Sequence, residues 1–315
     1  MSWVLVALLS YLLLAIANIG DKFLVDTVIK NSKAYALVVC VLGMLVFLVA
    51  PWFLSWPGFY LFIYNVFNGV VFGLAIWLLF ESLKRGEASR VLVLIGGATP
   101  IFSLILSILI LKESFTPLQL IGIFLIFLGL LAIVFLPKKS SLIAKILKWL
   151  RLSDNNIGLS LYTSLASAFL YALYFVLTKI AYDYQSFISA FIWTRLGALL
   201  LVLLFLFNPL VLKEIRNLFR RPKKDKSNIL VILNQIIGSL GFILQNYAVF
   251  LAASVVLVNS FQGIQYAFIL IFSAILSIFA PKIIKEEFTK RIVLQKSLSV
   301  LLIAIGIFLI TYLNY

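Results

Sequence analysis

The chain is poor in the residues that most enzyme and metal sites use. It contains no histidine and only one cysteine, Cys40, among 315 residues. Without histidine it lacks the commonest metal ligand and the side chain that ordinarily titrates near neutral pH, and a single cysteine excludes a disulfide bond within the chain. Because convergent nucleophiles, bases and metal ligands are missing, we predict that the protein is not an enzyme and has no catalytic residue, cofactor or metal site.

Charged residues are scarce as well, at 12% of the chain against 64% hydrophobic residues, and the mean hydropathy is +1.16. A bilayer core needs about 20 apolar residues per helical span. The sequence offers ten long, continuous apolar runs rather than the short alternating segments of a barrel, which predicts an all-α, multi-pass protein of the cell membrane with ten transmembrane helices. The runs are residues 3–20, 34–54, 60–80, 91–111, 116–136, 158–180, 186–209, 229–251, 254–281 and 292–313.

Basic residues outnumber acidic ones by 26 to 11, and they are unevenly distributed. They gather in the loops after the first, third, fifth, seventh and ninth runs, while the alternate loops contain only Lys112. The positive-inside rule therefore places the basic loops in the cytoplasm, beside membrane lipids, and both chain ends outside. The net charge of +15 is explained by topology, so we predict no nucleic-acid partner.

The two halves of the chain contain similar features in the same order, which predicts an internal duplication. Five spans per copy is an odd number, so the copies are expected to be inverted relative to each other, with a substrate site between them. We predict a first repeat at 1–137, a basic amphipathic connector at 138–156 and a second repeat at 157–315. One chain supplies both repeats, so a monomer is sufficient and a homodimer is compatible with the sequence. The matching features are Asp21 to Asp26 with Thr178 to Asp183, Ala88-Ser89 with Ala253-Ser254, and Glu113 to Thr116 with Glu286 to Thr289.

The first repeat contains a small-residue helix entry, a proline within a span, a short acidic turn and a final helix with glycines. These features are Ala88-Ser89, Thr99-Pro100, Leu111-Lys112-Glu113, Gln119 to Gly122, and Gly129. Their order resembles the EamA-like ten-helix members of the drug/metabolite transporter superfamily. The second repeat departs from this pattern, since Gln265 stands near the expected proline.

The resemblance implies a secondary transporter or exporter of a small metabolite, such as an amino acid, a sugar phosphate or a nucleotide sugar, that works by alternating access around a central polar cavity. An alternative within the same fold is a flippase for a lipid-linked sugar, and an alternative of another class is a membrane scaffold or receptor. The resemblance also implies chain ends in the cytoplasm, whereas the loop charges predict the opposite.

Three basic residues are candidates for contact with substrate. Arg195 lies well inside the seventh run, where a charge costs roughly 2.5–3.5 kcal/mol, so it is expected to face protein or a wet cavity. It is either an anchor for an anionic group, a member of an ion pair, or a side chain that reaches the headgroups. Lys22 and Lys179 occupy equivalent points of the two repeats and either line the cavity or mark the membrane interface.

Uncharged polar residues within the runs are the remaining candidates. Unpaired polar groups are unfavourable in hydrocarbon, so they are expected to hydrogen-bond between helices or to line the cavity. Pro100 predicts a helix kink, with either freed carbonyl groups or close packing of a neighbouring helix beside it. The predicted substrate-binding set is completed by Asn65, Asn68, Tyr171, Tyr174, Asn234, Gln235, Asn259, Gln262 and Tyr266. No acidic residue falls clearly in the middle of a run, which favours facilitated diffusion or exchange over proton coupling.

Overall fold

The computed structural model describes residues 3–86, 88–134, 155–219 and 227–279, and in the last predicted span residues 298–299, 301–306 and 308–309. Within these ranges the regular elements are all helices. The predicted amphipathic connector and the predicted boundaries at 137 and 156 fall largely outside them, so the division into domains stays a prediction.

Five helices make up the described part of the first half. Helix α2 continues through a 3₁₀ stretch to Phe53, and α4 continues as a π-helical stretch, Ser107–Leu111. The Asn31 side chain caps the start of α2 by accepting hydrogen bonds from the backbone N–H groups of Lys33 and Ala34, as expected for an N-cap asparagine. The five are α1 (Trp3–Thr27), α2 (Ser32–Gly43), α3 (Phe59–Arg85), α4 (Ala88–Leu106) and α5 (Pro117–Val134).

The described part of the second half contains six further helices with assigned bounds, and the described residues of the last run are helical as well. Of these, α8 is a short amphipathic helix, and α10 and α11 are separated by Phe261. They are α6 (Asn155–Tyr184), α7 (Phe187–Leu203), α8 (Pro209–Phe219), α9 (Ser227–Leu251), α10 (Val255–Ser260) and α11 (Gln262–Phe279).

Seven helical segments of the described chain are long and apolar enough to cross a membrane. They coincide with seven of the ten predicted runs, and two shorter apolar helices, Pro117–Gly129 and Val255–Ile269, coincide with two more. The tenth run is described only in part. A helical multi-pass membrane protein is therefore confirmed, while the number of ten spans and their inverted arrangement stay predictions.

The helices of the two halves pack against each other rather than forming separate bundles. Among the described elements, α3 packs along α6, and α1 packs along α9 in the same way. Helix α3 also lies very close to α7, because a Cβ atom at Gly69 would stand 2.0 Å from the Thr194 carbonyl oxygen, and one at Gly197 would stand 2.1 Å from that of Val66. Glycine is required at both positions for this approach.

Candidate functional site

A cavity of about 70 Å³ lies between the two halves of the chain. Its walls come from α1, α3, α4, α6, α9 and α11. The volume admits a few water molecules and is well below the roughly 300 Å³ of a small-ligand pocket. The cavity therefore has to widen before it can hold a metabolite. Its polar lining consists of Asn18, Thr99, Tyr171, Gln245, Gln262, Gln265 and Tyr266.

One wall of the cavity is formed where α11 meets α4. The Tyr266 hydroxyl donates a hydrogen bond to the Leu92 carbonyl oxygen, and a Cβ atom at Gly96 would lie 1.8 Å from that hydroxyl. Of the two alternatives left open by the sequence, close packing of a neighbouring helix is what the structure shows at Gly96. Helix α4 continues through Pro100 to Leu106, so the proline does not end it.

The predicted polar face of the ninth span divides into two environments. Gln262 and Tyr266 line the cavity, and the buried Oε1 atom of Gln262 has no hydrogen-bond partner among the described residues. Asn259 instead donates a hydrogen bond to the Ser103 hydroxyl at 2.7 Å. Asn259, Gln262 and Tyr266 recur at spacings of three and four residues, which would place them on one face of a continuous helix. The break between α10 and α11 at Phe261 separates Asn259 from the other two.

Asp21 is a buried acidic residue that was left out of the predicted site. Asp21 is 8% exposed. Its Oδ1 atom accepts hydrogen bonds from the Tyr35 hydroxyl at 2.5 Å, from Asn234 Nδ2 at 2.7 Å and from Gln235 Nε2 at 3.4 Å. Asp21 lies in the last two turns of α1, so it does not contradict the prediction that no acidic residue falls clearly in the middle of a run. The first predicted run ends at residue 20, whereas α1 continues to Thr27.

Arg195 is buried among aromatic rings. Its guanidinium carbon lies 4.1, 4.5 and 4.6 Å from the ring centroids of Phe72, Phe191 and Phe242, and its Nη2 atom donates a hydrogen bond to the Tyr174 hydroxyl at 3.4 Å. The Nε atom has no partner among the described residues, and neither described ion pair includes this residue. Cation–π attraction stabilises the charge. Since Phe242 also lines the cavity, Arg195 lies one ring away from it.

Two tyrosines of α6 connect these groups. The Tyr171 side chain lines the cavity, and its hydroxyl lies near enough to both Asp21 and Arg195 to interact electrostatically with each. The Tyr174 hydroxyl donates to the Oδ1 atom of Asn246 at 2.8 Å while it accepts from Arg195. The acidic and the basic group are thus linked through α6.

Lys22 and Lys179 have the same structural role in the two halves. Lys22 Nζ donates to the carbonyl oxygens of Leu83 and Gly86 at 2.7 and 3.1 Å. Lys179 Nζ donates to those of Val249 and Ala252 at 3.3 and 2.6 Å. In each case one acceptor is the third-last residue of a helix, and the other is the first residue after the end of that helix. These ammonium groups cap the C-termini of α3 and α9, so we do not carry them into the proposed site.

Asn65 and Asn68 are buried between α3 and α6. Asn65 Nδ2 donates to Gln185 Oε1 at 3.0 Å, and Asn68 Nδ2 donates to Thr178 Oγ1 at 2.9 Å. The structure thus shows Asn68 hydrogen-bonded to α6 and Asn65 hydrogen-bonded to the residue that follows α6. Neither is among the residues that line the cavity.

Glu113 lies just beyond the π-helical stretch of α4 and links the two halves. Its Oε2 atom accepts a hydrogen bond from the Ser254 hydroxyl at 2.5 Å, and the same hydroxyl caps α10 by accepting from the Val256 backbone N–H. Burial raises the pKa of the Glu113 carboxyl, against the opposing effects of the Ser254 hydrogen bond and the charge of Lys179. This carboxyl supports the turn rather than the cavity.

The sequence analysis therefore missed some of the cavity residues. Asn18, Thr99, Gln245 and Gln265 were not in the predicted set, although Gln245 and Gln265 belong to the polar series of the eighth and ninth runs. Asn18 had a usable signal, because it lies one helical turn before Asp21 in α1 and therefore shares its face.

Fold and site together define a class, a helical membrane protein that crosses the bilayer several times and has a cavity with both polar and apolar side chains between its halves. A model of the EamA-like transporter family matches residues 1–135, which confirms the predicted resemblance for that part of the chain.

Solved structures support the fold over a longer range. Twenty-seven chains of solved structures match. The match to one crystal structure covers 98% of this chain and 95% of the chain in that structure, with a TM-score of 0.63 and 14% sequence identity. At that identity the likeness concerns the fold alone. A search of curated proteins gives no match.

Proposed function

We propose that the chain is a secondary transporter that carries a small polar metabolite across the membrane by alternating access around the central cavity. The observation that carries this proposal is the cavity itself, because the polar side chains in its lining come from helices of both halves. A site between two halves is exposed to either side of the membrane when the halves rock against each other. The match of residues 1–135 to a transporter family supports the same function.

Paired contacts support the inverted duplication on which such rocking depends. The lysine caps of α3 and α9 are one pair. A second pair follows from the sequence alignment, in which Asp21 corresponds to Thr178. Asn68 of the first half donates to Thr178 of the second, and Asn234 of the second half donates to Asp21 of the first. The helices concerned pack in the same way, α3 on α6 and α9 on α1. Two equivalent helix pairs of this kind are what a duplicated transporter requires.

The solute is proposed to contain a carboxylate or phosphate group. Arg195 carries a buried positive charge with no acidic partner among the described residues, and its Nε atom is a free donor there. Charge-assisted hydrogen bonds to an anion would satisfy it. Movement of the Phe242 ring, which separates Arg195 from the cavity, would bring the two together as the cavity widens.

A thermal-shift panel on the purified protein tests this function. The ligands are amino acids, sugar phosphates, nucleotide sugars and a lipid-linked sugar, and any compound that stabilises the protein is then tested for counterflow in proteoliposomes. A ligand at a hundred times its dissociation constant stabilises the folded state by about 2.7 kcal/mol. We expect stabilisation and counterflow with at least one soluble anionic compound.

Two variants of Arg195 provide the control. Arg195→Gln removes the charge and should abolish stabilisation by the anion, whereas Arg195→Lys keeps the charge and should retain part of it. Equal ligand shifts in the wild-type protein and Arg195→Gln would assign Arg195 a structural role. Stabilisation by the lipid-linked sugar alone would replace the metabolite transporter by a flippase, and the absence of counterflow with every compound would refute transport.

A further inference from the structure

We propose that Asp21 is a proton-binding site beside the cavity, held by donors from α2 and α9, and that its proton couples transport to a pH gradient. The coupling to transport rests on the proposed function, whereas the proton-binding site does not. Asp21 lies within a candidate membrane span and is 8% exposed. A carboxylate in such a place is costly unless it is paired or protonated.

The hydrogen bonds around Asp21 suit two protonation states. All three donors, from Tyr35, Asn234 and Gln235, converge on the Oδ1 atom. Among the described residues no donor reaches Oδ2. A proton on Oδ2 leaves Oδ1 as a carbonyl oxygen with two lone pairs, which still accept the two shorter bonds, from Tyr35 and Asn234. Gln235 also donates to the Tyr35 hydroxyl at 3.0 Å, so the site can gain and lose a proton with little rearrangement of its neighbours.

No described cation neutralises Asp21. The nearest in sequence, Lys22, directs its ammonium group to the α3 carbonyls and to Asp26. Arg195 is enclosed by aromatic rings, and its charge and that of Asp21 act separately on the Tyr171 hydroxyl. The proton is thus the cation that the described surroundings leave for Asp21.

The other elements packed against α1 also leave Asp21 without a charged neighbour. Helix α9 contributes only amide side chains there, and on α11 the Tyr266 hydroxyl is bound to the α4 backbone. On α2, Tyr35 is the donor, and at the end of α3 Glu81 is held by Ser32 and Arg85. A metal cation fits poorly because N–H and O–H groups, not oxygen lone pairs, face the carboxylate.

Asp21 is connected to the cavity along one face of α1. Leu14 and Asn18 line the cavity. Asn18 follows Leu14 by four residues and Asp21 follows Asn18 by three, which places all three on one face of the helix. The Tyr171 hydroxyl, which also lines the cavity, interacts electrostatically with Asp21. A proton on Oδ2 and a solute in the cavity would therefore influence each other through Tyr171 and α1, as coupling requires.

The proton site is tested without any substrate. Infrared difference spectra of the purified protein between about pH 5 and about pH 9, a range that covers buried carboxyl groups, report the carbonyl stretch of a protonated carboxyl. We expect a band that is lost in Asp21→Asn and retained in Asp183→Asn, whose side chain is exposed near the end of α6. Asp21→Thr serves as a second variant, because the Thr178 hydroxyl already accepts from an asparagine at the equivalent place. Retention of the band in both Asp21 variants would overturn the proposal.

Coupling is tested in proteoliposomes with the compound that shows counterflow. For one proton per solute, a gradient of about one pH unit supports at most about tenfold accumulation. Asp21→Asn should lose accumulation against the gradient while it keeps counterflow, and accumulation equal to wild type would refute coupling. If the wild-type protein transports no compound but the infrared band depends on Asp21, the proposed function fails and the proton site stands.

Discussion

Replacement of Lys22 or Lys179 by methionine separates a structural from a substrate-binding role for these lysines. Each ammonium group donates two hydrogen bonds to carbonyl oxygens at a helix C-terminus. A hydrogen bond from a charged donor contributes about 1.5–3 kcal/mol, and the favourable end of the helix dipole adds about 0.3–1 kcal/mol. Both residues are partly exposed, so water replaces much of this, and we expect a loss of about 2 kcal/mol for each variant.

The two losses should add, because the lysines cap different helices and share no partner. The free energy of unfolding is measured in mixed micelles from the fluorescence of the six tryptophans. Lys84→Met is the matched control, since this residue lies at the end of α3 with an exposed side chain and should have little effect.

The outcome that would contradict the cap assignment is specific. If Lys22→Met and Lys179→Met unfold like the wild-type protein but no longer bind a ligand found in the thermal-shift panel, both lysines belong to the substrate site. If only one of them is destabilised, the equivalence of the two halves at this position is lost. Similar losses in both, with ligand affinity retained, would support the caps.

Three further predictions concern packing, pH dependence and topology. Gly69→Ala should destabilise the protein by about 1–3 kcal/mol through overpacking, because its Cβ would meet the Thr194 carbonyl oxygen at 2.0 Å. Gly43→Ala should be neutral, since the nearest atom to its Cβ would be 3.9 Å away. Equal unfolding curves for the two variants would refute the close approach at Gly69. Burial raises the pKa of Glu113, so the folded state holds this proton more tightly and loses stability as pH rises above about 4.3 through the folded pKa. Glu113→Gln keeps an acceptor for Ser254 and should flatten that part of the pH–stability curve, and an unchanged curve would contradict the shift. A C-terminal reporter that fluoresces only in the cytoplasm should stay dark, since the loop charges place both ends outside, and a bright reporter would reverse the orientation.

The apolar runs were sufficient to predict the fold class, because a bilayer imposes a length and a composition on each span. They could not predict where a helix ends once a charged residue appears. At Asp21 the helix continues, since three neutral donors from other helices satisfy the carboxyl. Those donors are 14, 213 and 214 residues away in sequence, a separation that no local pattern reveals.

The site was predictable only in part, for a related reason. A polar residue in a span signals either a neighbour or a cavity, and the choice depends on tertiary packing. Gln262, Tyr266 and Tyr171 line the cavity, whereas Asn68 binds Thr178 across a helix interface. Uncharged polar residues within the spans thus have different roles, and their positions in single helices do not distinguish these roles.

The two charged groups near the cavity occupy positions where the predicted repeats differ. Asp21 corresponds to Thr178. Helices α2 and α7 can be aligned on the residues that precede them, Asn31 and Ser186, and in that alignment Arg195 corresponds to Cys40. A helical frame, meaning the packed helices of the two halves, needs equivalent helix contacts in both halves if it rocks between two states. Uncharged pairs such as Asn68 with Thr178 provide such contacts at little electrostatic cost. A proton or an anion needs a charged partner, which has to be introduced at single positions of that frame. Asp21→Thr makes the first of these pairs equivalent, so it should preserve folding while it removes the coupling, and a variant that fails to fold would show that the frame itself depends on the carboxyl.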